Sequence, residues 1–413
     1  VNRSIVYKMR EKDLKRFNKL YPWFAGLTLD LMFWEAVDTW FLTLVKGLSA
    51  SQIVTTTSVS LIACLSFQIP IVKIINRIGN TNSVKLGSFL FLIAACLLTV
   101  GPNFYIILLG KIFYEFALTF LNMANAILKN NLNLQNKGNE YIKYSTRANM
   151  IYSVATMIMS FTGSFLFNLN HYLPMAGCIF FCFVCFVLSF FMVDYSDSSA
   201  ELKNEVKSKA KIKFSKIVVL SIASYALFYP IVHSAQADGK LFIQQQFLEV
   251  FSENKAALIF GIVLSSARTI RVISNLTFNK VYLKYRDKVG VGLPILLILA
   301  LAVMLTGSFI GMIFVKVLLM GLGYVIYLFI RDPFKTYIQN LVLINSDVGQ
   351  QQAALNVLDL VRKAMKALIE LCFAAVLLKY SIRSVMIVLI VLAAIEIFFS
   401  FYLYSYLKRN NKV

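Results

Sequence analysis

Long apolar runs separated by short polar breaks dominate the chain, and few of them carry the polar face that a helix on a soluble core would show. A bilayer core roughly 30 Å thick requires about 20 apolar residues per helix. On that scale the pattern predicts spans at 20–45, 52–75, 84–101, 104–127, 146–168 and 173–193. After a polar stretch, a second set follows at 215–237, 255–275, 289–309, 311–330, 359–379 and 384–406. The expected fold class is an all-α membrane protein of twelve transmembrane helices. Its divisions are a basic tail (1–19), an N-terminal six-helix bundle (20–193), a charged linker (194–214), a C-terminal six-helix bundle (215–406) and a short tail (407–413).

Loop charge orients this arrangement. Basic residues gather before the first span (Arg3, Lys8, Arg10, Lys12, Lys15, Arg16, Lys19) and around every second connection, including Lys73, Arg77 and Lys85. They recur in Lys203–Lys213 of the linker and in Lys280, Lys284, Arg286 and Lys288. The alternate loops hold little positive charge. By the positive-inside rule both termini are expected in the cytoplasm. The first span is too long for a signal peptide and lacks a small-residue cleavage site, so residues 1–19 are expected to be an uncleaved tail.

Composition then narrows the function classes. The residues are 59% hydrophobic, only 15% are charged, and 35 are Phe. With most of the chain in apolar runs, there is no room for a soluble catalytic domain. The net charge of +21 would suit nucleic acid, but its placement in short loops fits a membrane surface instead, and no nucleic-acid partner is expected. The six cysteines all lie in apolar runs, without disulfide or zinc spacing. No phosphate loop is present, and the two histidines, His171 and His233, form no H-E-x-x-H pair. The expectation is a non-enzyme with no cofactor and no metal.

The two halves repeat. KGLSASQI after the first span parallels LEVFSENKAALI after the seventh, and NRIGNTNSVKLG parallels NKVYLKYRDKVGVG. NLNLQN (Asn131–Asn136) parallels NLVLIN (Asn340–Asn345) in the same order. Duplicated halves are common in transporter folds. The whole arrangement resembles the major facilitator superfamily. That family's second-to-third loop follows G-x-L-x-D-R-x-G-R-[RK], and Val72–Thr81 matches it at Arg77 and Gly79. Asn76 replaces the Asp, Val72 the first Gly, and Asn80-Thr81 the basic pair. The resemblance implies a cytoplasmic gate motif at Asn76, Arg77 and Gly79 whose charge relay is weakened or differently built. Of the glycines typical of the drug antiporters' fifth span, only Gly163 survives.

Charges inside a span are costly and usually face a cavity or a partner. In the first span, Asp30, Glu35 and Asp38 accompany Trp34 and Trp40, with 30, 34 and 38 at helical four-residue spacing. The fourth span carries Lys111 and Glu115, and Tyr114 lies between them. In the resembled fold these two spans line one half of the central cavity. Asp30 or Glu35 is the expected proton carrier, with Lys111 as its switching partner and Glu115 in the same proton-coupling or substrate constellation. Trp34, Asp38, Tyr114, His233 and Gln236 are expected to line the cavity. Pro230 could kink the seventh span, leaving Asp238 and Lys240 at a solvated outer end. A secondary charge cluster comprises Arg268, Arg271, Asp359, Arg362, Lys366, Glu370 and Glu396; helical spacing suggests Asp359 with Arg362 or Lys363, and Lys366 with Glu370. Glu396 is expected to pair with the eleventh span. Arg331-Asp332-Pro333 reads as a gate or a helix boundary.

The resulting expectation is a secondary active transporter of a small organic solute. It is coupled to H+, or to Na+ as the alternative, with export by antiport favoured over a nutrient symport. A lipid or lipid-linked glycan flippase is the other reading. Membrane lipids and the solute are the expected partners of a monomer in a bacterial inner membrane.

Overall fold

A computed structural model describes residues 2–137, 140–195, 214–346 and 351–409. Among the described residues there is no strand. The helices are α1 (Asn2–Leu27), α2 (Trp34–Trp40), α3 (Ala50–Ser66), α4 (Gln68–Val100), α5 (Phe104–Leu121), α6 (Met123–Leu134), α7 (Tyr141–Leu169) and α8 (Leu173–Ser189). They continue with α9 (Lys216–Leu248), α10 (Glu253–Tyr285), α11 (Val289–Gly307), α12 (Ile313–Ile344), α13 (Gln351–Leu377) and α14 (Ile382–Arg409). A π-helical turn over Phe41–Val45 extends α2. Among the described residues, eight helical stretches are long and apolar enough to cross a membrane, and Ala50–Ser66 and Leu173–Ser189 are shorter apolar helices.

Several element boundaries depart from the hydropathy pattern. Residues expected in a tail form the first turns of α1, because the amphipathic stretch through Asn18 and Tyr21 packs against the chain: Asn18 donates to Gln135 (2.8 Å) and Tyr21 to Asn125 (2.8 Å). The first span is two helices rather than one. α4 runs through the expected second-to-third loop and is bent at Gly79, whose φ of 79° and ψ of 168° lie in a region essentially reserved for glycine. The Arg331-Asp332-Pro333 stretch ends no helix, since α12 continues through Pro333 to Ile344. Pro230 likewise lies inside an uninterrupted α9. Of the expected linker, residues 196–213 lie outside the described residues.

The chain divides into two compact units: Val1–Val37 with Ala63–Lys209, and Asp38–Ile62 with Ala210–Val413. The C-terminal part of the first expected span and most of α3 therefore belong to the second unit, whereas the sequence pattern places them in the N-terminal bundle. Ser51 and Ser58 show why, donating to the Ala374 and Ala367 carbonyls of α13. Within the first unit α1 packs on α7 and α8, and α4 on α5, α6 and α8. Within the second, α9 packs on α13 and α14, and α12 on α10 and α11.

Candidate functional site

The first expected span breaks within Thr28–Phe33, a stretch with neither Gly nor Pro. Side chains that compete for backbone groups stand there instead. Thr28 donates back to the Phe24 carbonyl (2.8 Å), and Asp30 Oδ1 accepts from the Leu31 amide (2.8 Å). Phe33 completes the break with a left-handed φ of 63°, a strained position for a non-glycine residue. Its ring enters a slot between two helices. A Cβ added at Gly177 would lie 2.9 Å from that ring, and one at Gly163 would lie 3.4 Å away. The retained Gly163 therefore belongs to a packing slot.

Asp30 lies in the break, half-buried, and Tyr114 of α5 donates to its Oδ1 at 2.6 Å. Phe91 stacks on the Tyr114 ring at 6.0 Å. The Lys111 ammonium sits 5.1 Å from the Trp34 ring centroid and 5.8 Å from that of Tyr114. Both Lys111 and Glu35 are within electrostatic reach of Asp30. Tyr152 of α7 donates to Glu35 at 3.2 Å and packs beside Met32 and Met159. Glu115 contributes its backbone carbonyl to Thr119 (3.1 Å).

The single acidic stripe expected for residues 30, 34 and 38 is thus not formed, because Asp30 precedes the helix on which Trp34 and Asp38 lie. The break sends the acids to different partners: Asp30 to Tyr114, Glu35 to Tyr152, and Asp38 to Lys240. The last is an ion pair of 2.7 and 2.8 Å within the second unit. Lys240 is only 3% exposed and Asp238 only 2%, so neither forms a solvated outer end. The uninterrupted α9 carries both inward.

In the second unit the secondary cluster separates into distinct interactions. Arg271 makes a two-pronged contact with Asp332 (2.6 and 3.2 Å), and Asn275 supports it at 3.0 Å. Arg268 and Arg271 are buried rather than extended to a membrane surface. Asp359 takes both Arg362 and Lys363, as helical spacing predicts. Lys366 and Glu370 do not form the expected pair. Glu370, 1% exposed, accepts from Ser234 of α9 at 2.8 Å. Glu396 also avoids α13, accepting from Ser224 (3.0 Å) and Ser400 (2.6 Å). The His233 ring lies tilted against that of Tyr229, with centroids 4.0 Å apart, and Gln236 accepts from Arg331 at 2.6 Å.

At the gate motif, Asn76 and Arg77 are exposed. The positions that replace the basic pair make the contacts instead. Asn80 donates to Asp194 Oδ2 (2.8 Å), as does Asn130 (2.8 Å), and the Thr81 hydroxyl accepts from the Asp194 amide (2.8 Å). Neutral groups hold a buried carboxylate where basic residues stand in the resembled motif.

Sequence reasoning missed Tyr152, Ser234 and the inward role of Arg331. A polar residue facing a charge across two helices leaves no spacing signal, although Arg331 in an otherwise apolar run was a cue. Among the described residues no group of three or more His, Cys, Asp or Glu side chains is placed to hold a metal ion.

The family model of the Major Facilitator Superfamily matches residues 23–357. A variant of the nucleoside transporter NupG superposes with a TM-score of 0.73 at 11% identity, over 94% of this chain and 99% of that one. A bacterial homologue of the iron transporter ferroportin, in an inward-facing state, has a TM-score of 0.68 at 15% identity, over 95% and 98%. A bacterial homologue of the human lysosomal transporter Spinster has a TM-score of 0.61 at 13% identity, over 96% and 97%. No curated protein matches the chain.

Proposed function

Because this multi-pass membrane chain belongs to the major facilitator superfamily, we propose that it is a secondary active transporter that couples movement of a small organic solute to protons. The observation that carries this reading is Asp30, a half-buried carboxylate in a break of the first membrane helix, held by the Tyr114 hydroxyl at 2.6 Å. Broken membrane helices are tolerated where they line a cavity, and transporters place substrate and ion sites at them. A carboxylate beside one cation and one other acid has a proton affinity that shifts when either neighbour moves. Lys111 and Glu35 are those neighbours. Alternating access supplies the movement.

The twelve-span topology belongs to the same proposal. α1 with α2 is the first span, α3 with the start of α4 the second, and α4 beyond Gly79 the third. α5 with α6 makes the fourth, and α7 to α14 supply the remaining eight. Both termini then lie in the cytoplasm of a bacterial inner membrane. Export by antiport is favoured, with Na+ as the alternative ion and a monomer as the working unit.

The test uses purified protein in liposomes. A substrate is first found by thermal shift at two pH values, and its flux is then measured with and without a pH gradient. Asp30→Asn or Glu35→Gln should leave exchange but remove the response to the gradient. Full gradient-driven transport in the double variant would overturn the proton site.

A further inference from the structure

The second unit carries a constellation that the coupling site does not use. Tyr229 and His233 of α9, Arg331 of α12, and Arg362 and Lys366 of α13 all lie near the midpoints of their helices. All five are half-buried, neither sealed in the core nor fully exposed. Charged side chains at that depth are expensive unless a partner or a water-filled cavity receives them.

Their carboxylate partners do not balance them. Asp359 is shared between Arg362 and Lys363. Asp332 is shared between Arg271 at 2.6 Å and Arg331 at 3.9 Å. Among the described residues, Lys366 has no carboxylate within ion-pair distance, and one oxygen of nearby Glu370 is taken by Ser234. Lys335 adds a further positive charge near Arg362 and Arg331. Asp238 and Glu370, both buried, are within electrostatic reach of Lys366, so that six cations (Arg271, Arg331, Lys335, Arg362, Lys363 and Lys366) meet four carboxylates (Asp238, Asp332, Asp359 and Glu370). A positive excess therefore remains at the level of Arg331, Arg362 and Lys366.

The same residues form a shaped surface. The Arg362 guanidinium lies 4.1 Å from the Tyr229 ring centroid, and the His233 ring lies 4.0 Å from it on the same helix. Gln236 accepts from Arg331 at 2.6 Å, which fixes the guanidinium plane without neutralising its charge. Guanidinium groups donate in a rigid fork that suits carboxylate and phosphate, whereas a lysine supplies a point charge. A flat aromatic surface beside such a fork suits a planar organic body.

The geometry points to an anion-binding site on α9, α12 and α13 that receives the carboxylate or phosphate of an aromatic organic anion. Arg331, Arg362 and Lys366 hold the anionic group, while Tyr229 and His233 face the ring. The inference deepens the transporter reading by naming the class of solute. The binding it requires is measured without transport.

The test is thermal unfolding of the purified full chain in detergent, at constant ionic strength, titrated with benzoate, phenyl phosphate, inorganic phosphate and benzylammonium. Benzoate or phenyl phosphate should raise the melting temperature saturably, and benzylammonium should not. Whichever of the two acts at lower concentration identifies carboxylate or phosphate as the preferred group. Half-saturation should weaken at least tenfold in Arg362→Gln and in Lys366→Gln, and Lys366→Arg should restore most of the response. Lys255→Gln, which removes an exposed charge elsewhere, should respond as the unmodified chain does. The site is overturned if the folded unmodified chain responds to neither aromatic anion, or if benzylammonium acts equally. It is also overturned if Lys366→Gln keeps the unmodified half-saturation, or if inorganic phosphate alone reproduces the whole effect. None of those results touches the proton site, whose failure appears only in the gradient assay of Asp30→Asn and Glu35→Gln.

Discussion

Lys240 donates to both carboxylate oxygens of Asp38, at 2.7 and 2.8 Å, across 202 residues of sequence. The pair ties α2 to α9, and Gln244 adds a hydrogen bond to Thr43 at 2.7 Å. Removing one partner of a buried ion pair leaves an uncompensated charge, at a cost of about 3–5 kcal/mol. Lys240→Met should therefore lower stability by about 3 kcal/mol, near the low end of that range, because the Asp38 side chain is 20% exposed. Adding Asp38→Asn to Lys240→Met should recover part of the loss. Denaturation of the single and double variants checks this, and simple additivity would deny the pairing.

The slot that receives Phe33 makes Gly177 a sensitive position. A methyl there would sit 2.9 Å from the ring, and overpacking of this kind costs about 1–3 kcal/mol. Gly177→Ala should lower the melting temperature. Gly292→Ala, on a helix with nothing within 4 Å of the added Cβ, should be neutral or raise it. Equal effects at the two positions would show that Phe33 moves aside freely.

Asp194 should be the least replaceable member of its network. Asp194→Ala orphans the amides of Asn80 and Asn130 together, whereas Asn80→Ala or Asn130→Ala removes one donor. Each unsatisfied buried group costs about 1–3 kcal/mol, so the aspartate variant should lose more stability than either asparagine variant. Asn80→Arg should be tolerated, since it places a cation on the same carboxylate. Thermal melts of the four variants rank them.

Glu396 is fully buried among hydroxyls, with one oxygen that finds no hydrogen-bond partner. Its neighbours Ser224 and Ser400 need an acceptor rather than a charge. Glu396→Gln should leave the melting temperature nearly unchanged, and Glu396→Leu should lower it, because Ser224 and Ser400 then keep only the 3.1 Å bond between their own hydroxyls. A large loss in the Gln variant would mean that this group works as an anion.

Most of the helix inventory was legible because hydropathy reports burial in lipid directly, residue by residue. The boundaries of α7, α11 and α14 fall close to the expected spans for that reason. The break at Thr28–Phe33 was not legible. No Gly or Pro marks it, and its stability comes from a ring held between Gly163 and Gly177 far along the chain.

For the candidate sites, the sequence determined which charges lie inside spans, since each is an exception in an apolar run. It also determined the pairing of Asp359 with Arg362 and Lys363, a contact within one helical turn. Only the tertiary structure decided that Asp30 meets Tyr114, that Glu370 meets Ser234, and that Asp38 leaves the first unit for Lys240. The physical reason is range. Hydropathy and helical spacing act over one span or one turn, whereas a buried charge takes whichever partner the packing of distant helices brings within about 3 Å.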